Sequence, residues 1–122
     1  MDIGKKVWVF PDGDIPAAGN KEPYGHESLV IFNPNKEEAF IDMSVYYTEK
    51  APDVDIKIRV AGERVRCVRV DKEAGDTDKK IKIPFGQYAL KLESNIPVVA
   101  QIGRMDVTQP NLAYYTVMGY SQ

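Results

Sequence analysis

A chain of 122 residues with 43% hydrophobic and 28% charged residues has the size and composition of one globular domain. Seven Tyr, four Phe and one Trp supply the apolar area that disordered chains lack. The formal net charge of −2 and pI near 5.4 argue against non-specific binding to nucleic acid, and a single cysteine excludes an intramolecular disulfide.

Residues Met1–Lys6 lead into no apolar run of signal-peptide length, and no stretch approaches the ~20 apolar residues of a membrane helix. A cytoplasmic protein is the expectation. The first strand reads Val7–Phe10, with Trp8 either packed in the core or serving as a platform for a flat ligand. Pro11-Asp12-Gly13 is expected to end it. Pro11–Gly25, with three Pro and three Gly, reads as a long ordered loop. His26-Glu27-Ser28 then leads into the strand Leu29–Phe32. These three residues cannot form a catalytic triad, because neighbouring side chains on an extended segment point to opposite faces. His26 is read either as an exposed loop-to-strand cap or as a ligand contact, its neutral imidazole offering one donor and one acceptor.

After Asn33-Pro34-Asn35, alternation places Ile41, Met43, Val45 and Tyr47 on one face, opposed by Phe40, Asp42, Ser44 and Tyr46. Val54, Ile56, Ile58 and Val60 repeat the pattern against Asp55, Lys57 and Arg59. Both read as half-buried antiparallel strands. Ala61-Gly62 reads as a short hairpin turn. Five basic residues, Lys57, Arg59, Arg64, Arg66 and Arg69, stand against one acid, Glu63, and form a candidate basic face. Cys67, in the same segment, reads as a buried or half-buried small hydrophobe. Asp71–Lys80 reads as a charged, solvated excursion.

Tyr88, Leu90 and Leu92 alternate with Lys91 and Glu93, and Ser94-Asn95-Ile96-Pro97 is expected to turn before the strand Val98–Ile102. Gln101 interrupts this apolar run, and a buried amide there would need partners. Arg104 and Asp106 share a face, which suggests an ion pair at the strand end. Asp106–Leu112 is a short connection to a last strand, Tyr114–Met118. About eight short strands with turns between them, and no helical period, indicate an all-β antiparallel sandwich or barrel. The continuous apolar runs at 7–10, 29–32, 98–102 and 114–118 suit strands covered on both faces, most simply by another subunit.

The residues favour binding over catalysis. The chain has one histidine and one cysteine, no glycine-rich phosphate loop entering a helix, no G-x-S-x-G and no paired cysteines. Neither a metal nor a cofactor is expected.

In order along nearly the whole chain, the sequence resembles the sensory rhodopsin transducer family. The matching landmarks are Val7-Trp8, Gly13-Asp14-Ile15-Pro16, His26-Glu27 before a strand ending at Asn33, and Val45-Tyr46-Tyr47. Further matches are Val60–Val70 with Arg64 and Arg69, Ser94–Val99 running to Gln101, Arg104-Met105-Asp106 and Ala113–Tyr120. The region 71–85 matches least. The resemblance implies a jelly-roll β-sandwich that assembles as a homotetramer, and a non-enzymatic domain binding small molecules such as sugars or related metabolites. It further implies ligand contacts at Trp8, His26, Glu27, Asn95, Gln101, Arg104 and Asp106. Two other readings stand beside it. One is an adaptor docking on a membrane receptor or on DNA through Lys57–Arg69. The other is a small enzyme moving a proton on a sugar with an acid, a base and an arginine.

Overall fold

Apolar alternation along the chain resolves into eight strands in the computed structural model, which describes residues 2–122 and contains no helix among them. The strands are β1 Lys5–Ile15, β2 His26–Asn33, β3 Ala39–Tyr47, β4 Asp53–Val60, β5 Arg64–Arg69, β6 Gly86–Asp106, β7 Ala113–Val117 and β8 Tyr120–Ser121. Every pairing between them is antiparallel. One sheet runs β4-β3-β6-β1-β8, and the other joins β5, β2, β6 and β7. β6 belongs to both sheets. Its first half pairs with β1 and β3, and its second half, from Val99, pairs with β2 and β7.

The transfer happens at Ser94–Pro97, where a turn was expected and the strand instead continues for 21 residues. Opposite it the register slips: Val7 faces Glu93, whereas Lys5 faces Val98. The Trp8 indole N–H donates to the carbonyls of Lys5 (3.1 Å) and Val98 (3.0 Å), locking this corner from inside. Gly4, at φ +97°, passes so close that a Cβ would lie 2.4 Å from the Val98 carbonyl oxygen.

Inward-facing Ile41, Met43, Val45, Ile56, Ile58, Leu90 and Leu92 meet Leu29, Ile31, Ala100 and Ile102 from the other sheet. Alternation fails at one expected core position. Asp55 adopts φ 62°, and Met43 faces Ile56 while Val45 faces Asp53, so β4 bulges there and Val54 swings outward to 39% exposure. At Pro11-Asp12-Gly13, β1 does not end but bulges, Pro11 and Asp12 together opposing the single residue Ala89 between the pairs Phe10–Leu90 and Gly13–Tyr88. A Cβ on Gly13 would come within 2.3 Å of the Tyr88 ring, so this glycine makes room for that tyrosine.

Ala61-Gly62 is not a hairpin turn: β4 and β5 are edge strands of different sheets, and the connection crosses one open side of the sandwich. Residues 71–80 are mostly exposed, as expected of a solvated excursion, but the segment is also tied to the body of the fold. Ala74 and Ile81 exchange backbone hydrogen bonds, the Asp76 N–H donates to the Lys57 carbonyl (2.8 Å), and the Asp76 carboxylate accepts from the Arg59 N–H (2.8 Å). The loop thereby occupies backbone groups that β4, as an edge, would leave to another chain. Cys67 is exposed on the outward face of β5, opposite Val30, contrary to its expected burial. The apolar runs alternate between core and an outer face: Leu29 and Ile31 are buried, whereas Phe32, Val65 and most of β7 are exposed.

The bulge at Asp55 sets the expected response to truncation. Ile58→Ala, at 0% exposure, should cost about 3 kcal/mol in urea unfolding, and Val54→Ala no more than ~0.5 kcal/mol. Equal losses at the two sites would contradict the inward–outward switch.

Candidate functional site

β2 presents Glu27, Leu29, Ile31 and Asn33 to the interior, so its buried row is polar at both ends. Asn33 is consumed structurally: its amide donates to the carbonyls of Glu37 and Val60, and its oxygen accepts from Asn35. Asn35 in turn donates to the Pro97 carbonyl (2.7 Å), so this network fastens one end of the sandwich.

Glu27, at 0% exposure, anchors the other end. Its Oε1 accepts from the Tyr88 hydroxyl (2.7 Å) and the Asp14 N–H (3.0 Å), and its Oε2 from Arg104 Nε (2.5 Å). Removing a carboxylate from water costs several kcal/mol, which these three donors offset. Arg104 continues the chain: Nη1 donates to the Tyr115 hydroxyl and Nη2 to the Asp12 carbonyl (3.3 Å), while the guanidinium carbon lies 5.3 Å from the centre of the Tyr115 ring. Burial pushes the Tyr88 phenol well above its ordinary range, and the charge and hydrogen bond of Glu27 push it further. Burial works against the Arg104 cation, but Glu27 more than compensates and holds it protonated. Four strands, β1, β2, β6 and β7, thus meet on one ion pair.

The expected Arg104–Asp106 pair does not form. Arg104 takes Glu27 across the β2–β6 pairing, and Asp106 accepts from the N–H (2.9 Å) and hydroxyl (2.6 Å) of Thr108. The Thr108 hydroxyl is the main reason the Asp106 carboxyl sits below its usual range.

Three hollows open around this end. A cleft of about 1020 Å³ is lined by Tyr24, His26, Arg69, Asp71, Lys72 and Phe85, among others. His26 Nδ1 lies 2.8 Å from the Tyr24 carbonyl, which orients the ring. A cavity of about 280 Å³ lies between the sheets beside Glu27 and Arg104, and a hollow of about 220 Å³ reaches from Arg104 to Phe85 and Asp106. Glu27 and Arg104 therefore share one cavity and Arg104 and Asp106 another, whereas His26 lies apart from them in the large cleft. Trp8, Asn95 and Gln101 do not join them. Trp8 is a core residue stacked on Phe10, and Asn95 accepts from the Phe40 N–H (2.8 Å) at the β6 corner. Gln101 faces outward opposite Val30, half-buried rather than part of an interior network. Tyr88, Tyr115, Tyr24 and Phe85 belong to the site and were not singled out from the sequence. For Tyr88 the signal was Gly13, whose missing side chain matters only once the β1–β6 register is known.

The basic stretch is largely neutralised. Lys57 pairs with Asp42, Arg59 with Glu38, Arg66 with Asp76 and Arg69 with Asp71. Arg64 donates to the carbonyls of Gly62 and Glu63. The Arg66 hydrogen bonds hold the Asp76 carboxyl below its usual range. Burial raises that of Asp71, but Arg69 outweighs it and the net shift is downward.

The model of the family described as Anabaena sensory rhodopsin transducer matches residues 3–121. The chain belongs to this family. Two solved structures support the assignment. The crystal structure of Thermotoga maritima 1070 is 32% identical with a TM-score of 0.85, over 98% of this chain and 96% of that one. The Anabaena sensory rhodopsin transducer is 32% identical with a TM-score of 0.72, over 88% of this chain and 93% of that one. No curated protein matches. Among the described residues no group of three or more His, Cys, Asp and Glu is placed to hold a metal ion, and no helix is long and apolar enough to cross a membrane.

The ion pair at this end should behave as a coupled unit. Glu27→Gln should destabilise the protein by about 3 kcal/mol, because it strands the Arg104 cation in a partly buried position. A double-mutant cycle with Arg104→Met should give a coupling of about 1–3 kcal/mol. Additive losses would mean that the two residues act independently.

Proposed function

We propose that this transducer-family protein is a non-enzymatic sensor or adaptor domain that binds a sugar or related polar metabolite in the cleft beside His26. The cleft itself carries the reading. At about 1020 Å³ it has the capacity of an organic-ligand site, and two exposed rings, Tyr24 (46%) and Phe85 (76%), flank it. Such rings offer flat apolar faces, and His26, Lys72, Lys82 and Asp71 offer hydrogen bonds beside them. The burial of Glu27 and its engagement by three donors support binding over acid–base catalysis, since its carboxylate is already committed to Tyr88, Asp14 and Arg104. The name of the Anabaena relative supports an adaptor role toward a receptor. Pairing of four of the five basic residues with carboxylates weakens a DNA-docking reading.

The domain works as a homotetramer in a cytoplasmic setting, with the outer face of the β5-β2-β6-β7 sheet as the contact. Exposed Phe32, Val65 and Tyr114 lie there beside half-buried Val30 and Val99, an apolar surface of the kind that partners cover. An exposed free cysteine on that face suits a reducing compartment.

Calorimetric titration against a panel of mono- and oligosaccharides and nucleotides should find at least one binder, weakened about tenfold or more by His26→Ala or Phe85→Ala. Silence across the panel would remove the sugar reading. In analytical ultracentrifugation the protein should sediment with the mass of four chains, and Val65→Asp should dissociate it. A wild-type monomer would refute the assembly.

A further inference from the structure

The cavity beside Arg104 differs in chemistry from the open cleft. It lies between the two sheets, with about 280 Å³ bounded by Phe10, Ile102, Val117 and Met118 as apolar walls and by Asp12, Glu27, Arg104 and Tyr115 at its polar end. Its cover is the C-terminal segment. β7 is hydrogen-bonded to β6 in one sheet and β8 to β1 in the other, so the chain between them straps the sandwich shut along this side. Gly119 is the crossing point: a Cβ there would lie 2.2 Å from the Val9 carbonyl oxygen and 2.8 Å from the Phe10 ring. The strap is closed by reciprocal backbone bonds between Val7 and Gln122, 2.8 and 2.9 Å long.

Glu27 dictates what Arg104 can still do. A guanidinium carries five N–H donors. Nε is spent on Glu27, one Nη1 donor on the Tyr115 hydroxyl and one Nη2 donor on the Asp12 carbonyl, the last at a long 3.3 Å. Two donors are left over, on a cation whose counter-charge is already shared with the Tyr88 hydroxyl and the Asp14 N–H. The nearby Asp12 carboxylate is engaged by the Gln87 amide (3.0 Å). A rigidly held guanidinium at one end of a small apolar chamber matches a carboxylate with a compact apolar body. A sugar would leave its hydroxyls without partners against such walls.

We propose that this inter-sheet cavity is a binding site for a small organic monocarboxylate. Its carboxylate accepts from the Arg104 Nη groups, its branched-aliphatic or single-ring body fills the space toward Val117 and Met118, and the strap lifts to admit it. The inference rests on the binding-domain reading above but not on the sugar cleft.

Nuclear magnetic resonance titration with benzoate and 3-methylbutanoate tests it, with benzamide and benzyl alcohol as uncharged counterparts. The carboxylates should shift the amides of Tyr115 and of Val117–Gly119, and should slow hydrogen exchange at Val7 and Gln122 as the strap is held down. Benzamide and benzyl alcohol should bind at least tenfold more weakly. Arg104→Gln should lose tenfold or more in carboxylate affinity. Because that variant also strands Glu27, Val117→Trp is the second arm: it fills the cavity from the strap, leaves the ion pair intact and should abolish the benzoate response with the fold preserved by circular dichroism. No carboxylate-induced shifts, equal binding by benzamide, or full benzoate binding by a folded Val117→Trp would each overturn the proposal. A sugar titration run alongside separates the two sites. Sugar bound with benzoate silent overturns this inference alone, whereas benzoate bound with sugar silent upholds it and removes the assignment of the cleft.

Discussion

β6 has to satisfy its backbone hydrogen bonds in two sheets at once, and the rest of the molecule is arranged around that requirement. Along its first half it runs between β1 and β3, and along its second between β2 and β7. Between them it must bend without leaving buried polar groups unpaired. Pro97, which has no N–H to satisfy, sits at the bend, and the Trp8 indole takes up the Val98 carbonyl just beyond it. The two sheets cannot slide relative to one another, because they share a strand. Their open sides are then closed by short crossings: the β4–β5 connection with the Asp76 loop on one side, and the C-terminal strap on the other.

The shared strand also explains where polar residues collect. The interior between the sheets is apolar along its middle, and the inward row of β2 becomes polar only at Glu27 and Asn33. At the Asn33 end every partner is a backbone carbonyl or another asparagine, which suits a fastening. At the Glu27 end the partners are two tyrosines, an arginine and a backbone N–H, and the hollows open around them. A buried ion pair is a poor source of net stability compared with apolar packing of the same volume. Its value here lies in orientation, since Glu27 dictates which edge of the Arg104 guanidinium faces the inter-sheet cavity. The bulge at Pro11-Asp12-Gly13 completes the arrangement by bringing the Asp14 N–H and the Asp12 carbonyl to the pair.

Much of this architecture was legible in the chain. Period-2 alternation identified the inward rows of β3, β4 and the start of β6, because side chains on extended backbone face alternate sides whatever the strand pairs with. It failed at Val54, where a residue with positive φ changed the phase, and at Ser94–Pro97, where turn-forming residue types occupy a bend rather than a stop. The divergence of His26 from Glu27 followed from the same rule and holds. The choice of partner did not follow: Arg104 and Asp106 share a face two residues apart, yet Arg104 reaches across to Glu27, brought opposite it by the β2–β6 register.

The sequence by itself determined an all-β antiparallel domain, its alternating core rows and its family, since these rest on local periodicity and on the order of residue types. Only the tertiary structure decided which polar residues meet. Trp8, Asn95 and Gln101 are of the right types for a ligand site but serve the core, the β6 corner and an outer face. Glu27 and Arg104 come together with Tyr88 and Tyr115, while His26 meets Tyr24 and Phe85 in a separate cleft and Asp106 lines a hollow with Arg104 and Phe85. Such meetings depend on strand register and on which sheet each half of β6 joins, and both are set by the packing of the whole molecule.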